Sequence, residues 1–275
     1  MSAETTPSAS QRPLAGQRYR LSAGIEPALD LAATFAEARL KGTLVKDEPD
    51  THIWKADIQG IGPSWWKEYG IPRAARPFKL LSRSRSEREW AALESMHSAG
   101  LPVPRPILYA EWRRLGALSS SLVVTGDIPD TITLESLLAS AAIDEAVKHQ
   151  ACRNLGRLAH EMHGKGFVHF RLVPRNVLIE QTPERRVWLL DTPYSCRWKA
   201  MPPKASRRYD LAQVCSINGG MKSFYAEEVL AAYIAASEEP WDTGRILAAS
   251  KRRRKAARIA LHTLARATGH TYSRS

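Results

Sequence analysis

The spacing of apolar residues changes once along the chain, near residue 126. Before this point the apolar residues form short blocks that read as strands, at 42–46, 51–58, 63–69 and 117–125. Turn-forming Asp, Pro and Gly residues separate the first three blocks, which is typical of an antiparallel meander. The first part of the chain is therefore predicted to be rich in strands.

Two helices accompany these strands. One is predicted over 27–40 from roughly helical apolar spacing, and Gly42 ends it. The other begins at Ser86, whose hydroxyl can cap it, and carries Trp90 on its apolar face. Gly100 ends this second helix, and a proline-rich segment leaves it in extended form.

Beyond residue 126 the pattern becomes helical. A long helix with one apolar face is expected before Gly164, and two short apolar runs, 177–179 and 187–190, follow it. We therefore predict an α+β protein with two lobes. The predicted parts are a flexible tail over 1–24, a small antiparallel-sheet N-lobe over 25–126, and a helical C-lobe over 127–275.

The balance of charges narrows the class of partner. Lysine and arginine number 40 against 28 acidic residues, which gives a net charge of +12. Such a surface favours anionic partners such as nucleotides, phosphorylated lipids or nucleic acid. The densest basic cluster is 251–255 with Arg258, for which a solvated helix face and docking on an anionic surface both remain open. Without aromatic residues between the basic ones or zinc-ligand spacing, nucleic acid is not expected as a partner.

The cysteines and the apolar segments of the sequence indicate the cellular compartment. Cys152, Cys196 and Cys215 show neither pairing nor metal spacing, so buried thiols in a reducing compartment are expected. The polar N-terminus has no apolar signal core, and no apolar stretch approaches the ~20 residues of a membrane span. We therefore expect a cytoplasmic protein.

The strongest chemical signal lies in region 163–193, which we expect to contain a catalytic loop. His169, Leu172 and Asn176 match the spacing of the kinase pattern H-x-D-L-x-x-x-N, and Asp191 follows the next apolar run. In kinases the Asn and the second Asp hold Mg²⁺ on the phosphates, and the first Asp accepts the proton of the attacking hydroxyl. Arg171 occupies the position of that first Asp.

A second kinase feature lies upstream. Lys67 on the third predicted strand is the candidate to hold the α- and β-phosphates of ATP, paired with Glu89 on the next helix. Glu87 is the second candidate for the acidic partner, and Lys55 on the preceding strand is the competing lysine. By contrast, His160 and His163 lack the i, i+4 spacing of a zinc face, so structural roles are expected for them.

Four segments together resemble the lipopolysaccharide kinase group, bacterial relatives of protein kinases that phosphorylate heptose or Kdo in the lipopolysaccharide inner core. They are Trp66–Tyr69, the 88–106 stretch that ends in Gly-Leu-Pro-Val-Pro-Arg-Pro, the loop around His169, and Tyr209–Gln213 with its Asp-Leu-Ala core. The resemblance implies a two-lobed protein-kinase-like fold, ATP and Mg²⁺ as cofactors, and a site peripheral to the inner membrane. It also implies a lipopolysaccharide precursor or anionic membrane surface as partner.

Departures from the family pattern decide what activity is expected. A guanidinium is charged at any relevant pH and cannot accept a proton, so Arg171 cannot act as the base. Thr192 and Pro193 follow Asp191 in place of Phe-Gly, and no clear G-x-G-x-x-G loop is present. We therefore predict a weakly active kinase or a pseudokinase. An active sugar kinase and a small-molecule phosphotransferase remain the alternatives.

Overall fold

The computed structural model describes residues 17–22, 31–72, 74, 82–216, 221–250, 260 and 263. The chain divides into two compact units. The first comprises Met1–Glu94 and Arg105–Asp127, and the second comprises Ser95–Pro104 and Ile128–Ser275. The basic cluster at 251–258 lies outside the described residues.

The first unit is an antiparallel sheet with a helix on each face. Its elements are β1 (Gln17–Leu21), α1 (Leu31–Lys41), β2 (Thr43–Glu48), β3 (Thr51–Ile58), β4 (Gly62–Gly70), α2 (Arg85–Ser98), β5 (Pro106–Arg114) and β6 (Ala117–Gly126). The last residues of α2 belong to the second unit. The six strands are ordered β1-β5-β6-β4-β3-β2, and all neighbouring pairs are antiparallel.

Alternation along β4 places its side chains on two different cores. Trp66 is fully buried and packs with Phe35 of α1, whereas Tyr69 packs with Trp90 of α2. Because successive side chains of a strand point to opposite faces, the residues three apart serve opposite sides of the sheet. Lys67 shares its face with Tyr69, the face that α2 covers.

The β2 strand forms one edge of this sheet. All six of its residues are exposed, including Leu44 and Val45, and the pairing register with β3 shifts between Leu44 and Lys46. A register shift of this kind is a β-bulge, which bends and twists a strand locally. The edge is therefore irregular and open to solvent.

The other edge corrects one expectation from the sequence. Residues 17–21, expected in the flexible tail, form strand β1 paired with β5. The indole of Trp90 donates a hydrogen bond to Ser22 just after the strand, and the Ser22 hydroxyl donates to Glu94. These contacts join residues about 70 positions apart, and composition within the tail cannot reveal them.

The second unit is mainly helical. Its elements are β7 (Thr131–Thr133), α3 (Leu134–Ala139), α4 (Glu145–Gly164), β8 (Phe167–Val168), β9 (Val177–Glu180), β10 (Val187–Leu189), β11 (Cys196–Arg197), α5 (Lys204–Val214), α6 (Ser223–Ala235) and α7 (Thr243–Ser250). A single 3₁₀ turn at Pro174–Asn176 precedes β9. The strands form two small sheets, β10-β9-β7 and β11-β8.

Close packing of α4 against α6 fixes the helix that leads into the predicted catalytic loop. A Cβ atom at Gly156 would lie within 2.3 Å of the Val229 carbonyl oxygen, so only glycine fits there without a shift. The expectation of buried thiols is confirmed for all three cysteines, which are free. Burial raises the pKa of Cys152 and of Cys215 to about 12, so both thiols stay protonated at neutral pH.

No helix within the described residues combines the length and the apolar character needed to cross a membrane.

Candidate active site

In the first unit, Lys67 of β4 and Glu89 of α2 form an ion pair. The Lys67 Nζ lies 2.8 Å from Glu89 Oε1, and the hydroxyl of Tyr69 donates a hydrogen bond of 3.0 Å to Glu89 Oε2. The carboxylate is fully buried, while the lysine side chain keeps 17% of its surface exposed. The lysine is therefore oriented by a buried acid yet open on one side.

The competing residues have other partners. Lys55 forms an ion pair of 2.8 Å with Asp127, and its ammonium group lies 5.5 Å from the ring centre of Trp65. The indole of Trp65 donates a hydrogen bond of 2.6 Å to the same carboxylate. Glu87 pairs with Arg83 at 3.0 Å. The structure thus brings Lys67 together with Glu89 rather than with Glu87, and it pairs Lys55 elsewhere.

In the second unit, the loop after β8 is tied to α5 by one buried carboxylate. Asp210 accepts hydrogen bonds from the backbone N–H of His169 at 2.6 Å and of Phe170 at 2.7 Å. Its side chain is fully buried. Two successive amides bound to one carboxylate fix the direction of the chain just before Arg171.

This anchor coincides with an unusual backbone conformation. Phe170 has φ of 60°, a region that bulky residues rarely adopt, at a cost of roughly 1–3 kcal/mol. Its ring is fully buried and packs against Tyr209 and Trp198. The hydrogen bond to Asp210 and this packing together hold the strained residue in place.

His169 links the loop to the residue before Asp191. Its Nε2 lies 2.9 Å from the Leu190 carbonyl oxygen, and its Nδ1 lies 3.2 Å from the backbone N–H of Arg171. A carbonyl can only accept, so Nε2 carries the proton and Nδ1 accepts. Burial lowers the pKa of His169 below 6.5, and the ring is therefore neutral at physiological pH.

A second buried histidine supports the Asp210 anchor. His163 Nε2 lies 3.4 Å from Asp210 Oδ2, and His163 Nδ1 lies 2.9 Å from the hydroxyl of Tyr233. Burial lowers the pKa of His163, and it raises the pKa of Tyr233 to about 12. The neutral imidazole therefore accepts from Tyr233 and donates to Asp210, a structural role as expected from the sequence.

Acid is expected to destabilise the protein through His163 and His169. As the pH falls below 6.5 the unfolded chain takes up protons at both histidines, whereas the folded protein resists because their folded-state pKa values are lower. The free energy of unfolding is therefore expected to fall as the pH drops from about 7.5 to about 5.5. Urea unfolding at about pH 7.5 and about pH 5.5 measures the loss. The control is His97→Gln, a change at an exposed histidine, which should lose as much stability between the two pH values as the wild type does. Equal stability of the wild type at both pH values would contradict the prediction.

Asn176 sits at the end of the same loop. Its side-chain Nδ2 donates to the Arg171 carbonyl oxygen at 2.9 Å, and its own carbonyl accepts from the Leu190 N–H at 2.8 Å. Because Leu190 is also held by His169, the loop and the segment carrying Asp191 form one hydrogen-bonded arrangement. The structure thus brings Asn176, Asp191 and Arg171 to neighbouring positions.

Arg171 occupies this arrangement as a cation. Its Nη1 lies 3.1 Å from Asp191 Oδ2, and its guanidinium carbon lies 5.8 Å from the ring centre of Tyr194. The side chains of Arg171 and Asp191 are 23% and 16% exposed. Asp191 has φ of 55°, a left-handed conformation that aspartate tolerates better than most residues. The predicted base position therefore carries a positive charge that contacts Asp191.

This pairing decides how a divalent cation would fit. The resemblance assigns Mg²⁺ to Asn176 and Asp191, but the Asp191 carboxylate already contacts a guanidinium that stays charged. A fixed positive charge beside the carboxylate opposes the approach of another cation. The residues as arranged do not fit a divalent metal, and its assignment to them stays a prediction.

Asp210 is a site residue whose role the sequence pattern does not reveal. The Asp-Leu-Ala sequence at 210–212 marked a family feature without showing which atoms the carboxylate would bind. Its partners lie 40 and 41 residues earlier and are backbone amides, which leave no side-chain pattern. No group of three or more His, Cys, Asp or Glu residues suited to a metal occurs in the described part of the chain.

An antiparallel sheet with a Lys–Glu pair, followed by a helical unit with a His-to-Asn loop, defines a two-lobed, protein-kinase-like fold. The lipopolysaccharide kinase (Kdo/WaaP) family matches residues 61–233 of the chain. The protein belongs to this family. The resemblance read from its sequence segments is thereby confirmed.

Several curated relatives are 3-deoxy-D-manno-octulosonic acid kinases. The protein from Actinobacillus succinogenes is 31% identical over 132 residues, which is 47% of this chain and 52% of that one. The Vibrio cholerae protein is 28% identical over 149 residues, or 52% of this chain and 60% of its own. The matched region thus spans about half the length of these relatives.

Among solved structures, that of WaaP in complex with acyl carrier protein has a similar fold. Its TM-score is 0.58 at 18% sequence identity, and the match covers 91% of this chain and 98% of that one. At this identity the likeness supports the fold alone.

Proposed function

We propose that this protein is a nucleotide-binding member of the lipopolysaccharide kinase family that transfers phosphate weakly or not at all. The observation that carries the proposal is the Arg171–Asp191 ion pair at the position of the catalytic base. A guanidinium can hold phosphate oxygens by paired hydrogen bonds, but it cannot accept a proton from an attacking hydroxyl. Binding is therefore retained where proton abstraction is lost.

In kinases a Lys–Glu pair binds the nucleotide phosphates, and an Asn and an Asp hold the metal ions on them. Lys67, oriented by the buried Glu89, would hold the α- and β-phosphates of ATP. In the second unit, Arg171 contacts the Asp191 carboxylate and would offer its remaining N–H groups to phosphate oxygens. His169 and Asp210 touch neither nucleotide nor acceptor in this proposal and position the loop instead.

A second candidate is an active ATP-dependent sugar kinase of the lipopolysaccharide inner core, or a small-molecule phosphotransferase. The intact Lys67–Glu89 pair and the ordered loop around His169 support it, because a binding-only protein does not need the loop held this firmly. Activity would require another carboxylate to act as the base.

Calorimetry with ATP tests the binding part of the proposal. The double variant Lys67→Met/Glu89→Gln removes the cation without leaving a buried unpaired carboxylate, and we expect it to lose at least about tenfold in affinity, since a charged hydrogen bond contributes ~1.5–3 kcal/mol. Lys55→Met/Asp127→Asn removes the ion pair between β3 and the residue after β6; it is the matched control and is expected to keep near wild-type affinity. Absence of ATP binding by the wild type would refute the proposal.

The basic cluster at 251–258 suggests a second, anionic binding partner. We propose that it docks on an anionic membrane surface or a phosphorylated lipopolysaccharide precursor, in keeping with the net charge of +12. Neutralising four of these residues should weaken binding to anionic vesicles by about 1 kcal/mol for each charge. Vesicle co-sedimentation measures this, with neutral vesicles as control. Unchanged sedimentation would reduce the cluster to a solvated surface.

A further inference from the structure

The backbone of Arg171, from which the guanidinium extends, is held by two hydrogen bonds. The N–H of Arg171 donates to His169 Nδ1, and its carbonyl accepts from the Asn176 side chain. The backbone that leads into Asp191 is held as well, because Leu190 bonds to His169 through its carbonyl and to the Asn176 backbone through its N–H. From these two held segments the Arg171 and Asp191 side chains meet at 3.1 Å.

The charge balance of the site follows from this contact. An aspartate at position 171 would add a second carboxylate beside Asp191 and give the pair a charge of −2, which calls for a divalent cation before an anionic nucleotide can approach. With Arg171 the charges of the pair cancel. The remaining N–H groups of the guanidinium are donors suited to phosphate oxygens.

We infer that Arg171 serves as the resident cation of this site, so that nucleotide binding does not depend on divalent metal ions. The inference rests on the proposed function, because it concerns how the same nucleotide is held. The ligand is the triphosphate of a nucleotide, and the Arg171 guanidinium would pair with its negative charge directly.

Calorimetric titration of the wild-type protein with ATP, once with Mg²⁺ and once with a chelator, is the test. We expect the two dissociation constants to agree within about threefold, because no metal-binding step is linked to binding. Binding that appears only with Mg²⁺ would overturn the inference while leaving the proposed function in place. No binding under either condition would overturn the proposed function itself.

Variants of the same loop sharpen the test. Arg171→Asp should make binding require Mg²⁺, with a loss of about tenfold or more in the presence of chelator, since it restores two adjacent carboxylates. Arg175→Asp makes the same charge change at an exposed residue four positions further on, and it should remain independent of metal. Circular dichroism of both variants checks that they fold. Equal metal dependence of the two variants would show that overall charge, and not the contact with Asp191, governs binding.

Discussion

Purified wild-type protein is expected to bind ATP yet transfer or release phosphate barely above background, while Arg171→Asp gains activity. Loss of a general base typically costs about 10²–10⁴ in rate, and the aspartate would return one beside Asn176. The backbone of residue 171 is already held by His169 and by the Asn176 side chain, so the substitution does not require the loop to rearrange.

A phosphate-release assay and transfer onto a heptose or Kdo acceptor compare the two proteins. The Lys67→Met/Glu89→Gln variant sets the background rate, and Arg175→Asp controls for the charge change. Robust turnover by the wild type would refute the proposal that the protein transfers phosphate weakly or not at all. It would also require another carboxylate to act as the base. Thr192 and Pro193 follow Asp191 in place of the usual Phe-Gly. A rate increase smaller than ~10² in Arg171→Asp would show that this segment also lowers activity.

Replacing Asp210 by asparagine is expected to lower the free energy of unfolding by about 3 kcal/mol or more. Both carboxylate oxygens accept hydrogen bonds, Oδ1 from Phe170 and Oδ2 from His169 and His163. An amide must turn its NH₂ group toward one set of these donors, and each buried donor left unpaired costs ~1–3 kcal/mol. The strain at Phe170 then also loses one of its restraints.

Urea unfolding followed by circular dichroism measures this loss. The matched control is Asp144→Asn, because Asp144 also accepts a backbone N–H, that of Ala146, but does so at an exposed helix N-terminus where asparagine caps equally well. We expect the control to change stability by no more than ~0.5 kcal/mol. Similar losses in the two variants would show that Asp210 is not a special anchor.

Local spacing was enough to predict the loop and the lobes around it. His169, Asn176 and Asp191 lie within one short region whose order matches the kinase pattern, and Lys67 and Glu89 follow the order of strand and helix. The structure brings each of these sets together within its own unit. What the residues bind is beyond such patterns and stays a proposal.

Contacts between distant segments could not be predicted in the same way. The strand at 17–21 exists because it pairs with β5, whose residues come some 90 positions later, and nothing in its own sequence specifies that partner. The sequence likewise places Arg171 at the base position without showing that its guanidinium pairs with Asp191. Spacing along the chain does not determine where a long side chain points.

The irregular β2 edge affects how the protein behaves at high concentration. An unpaired strand edge offers N–H and C=O groups that can pair with the edge of another molecule and extend the sheet. Here the bulge at Leu44 and Val45 interrupts the ladder, and Lys46, Asp47 and Glu48 place charges on the strand next to that apolar pair. Charged residues and bulges on an edge both oppose such pairing. A few side chains thus oppose aggregation. Apolar substitutions at Lys46, Asp47 and Glu48 would make this exposed edge prone to pairing with other molecules.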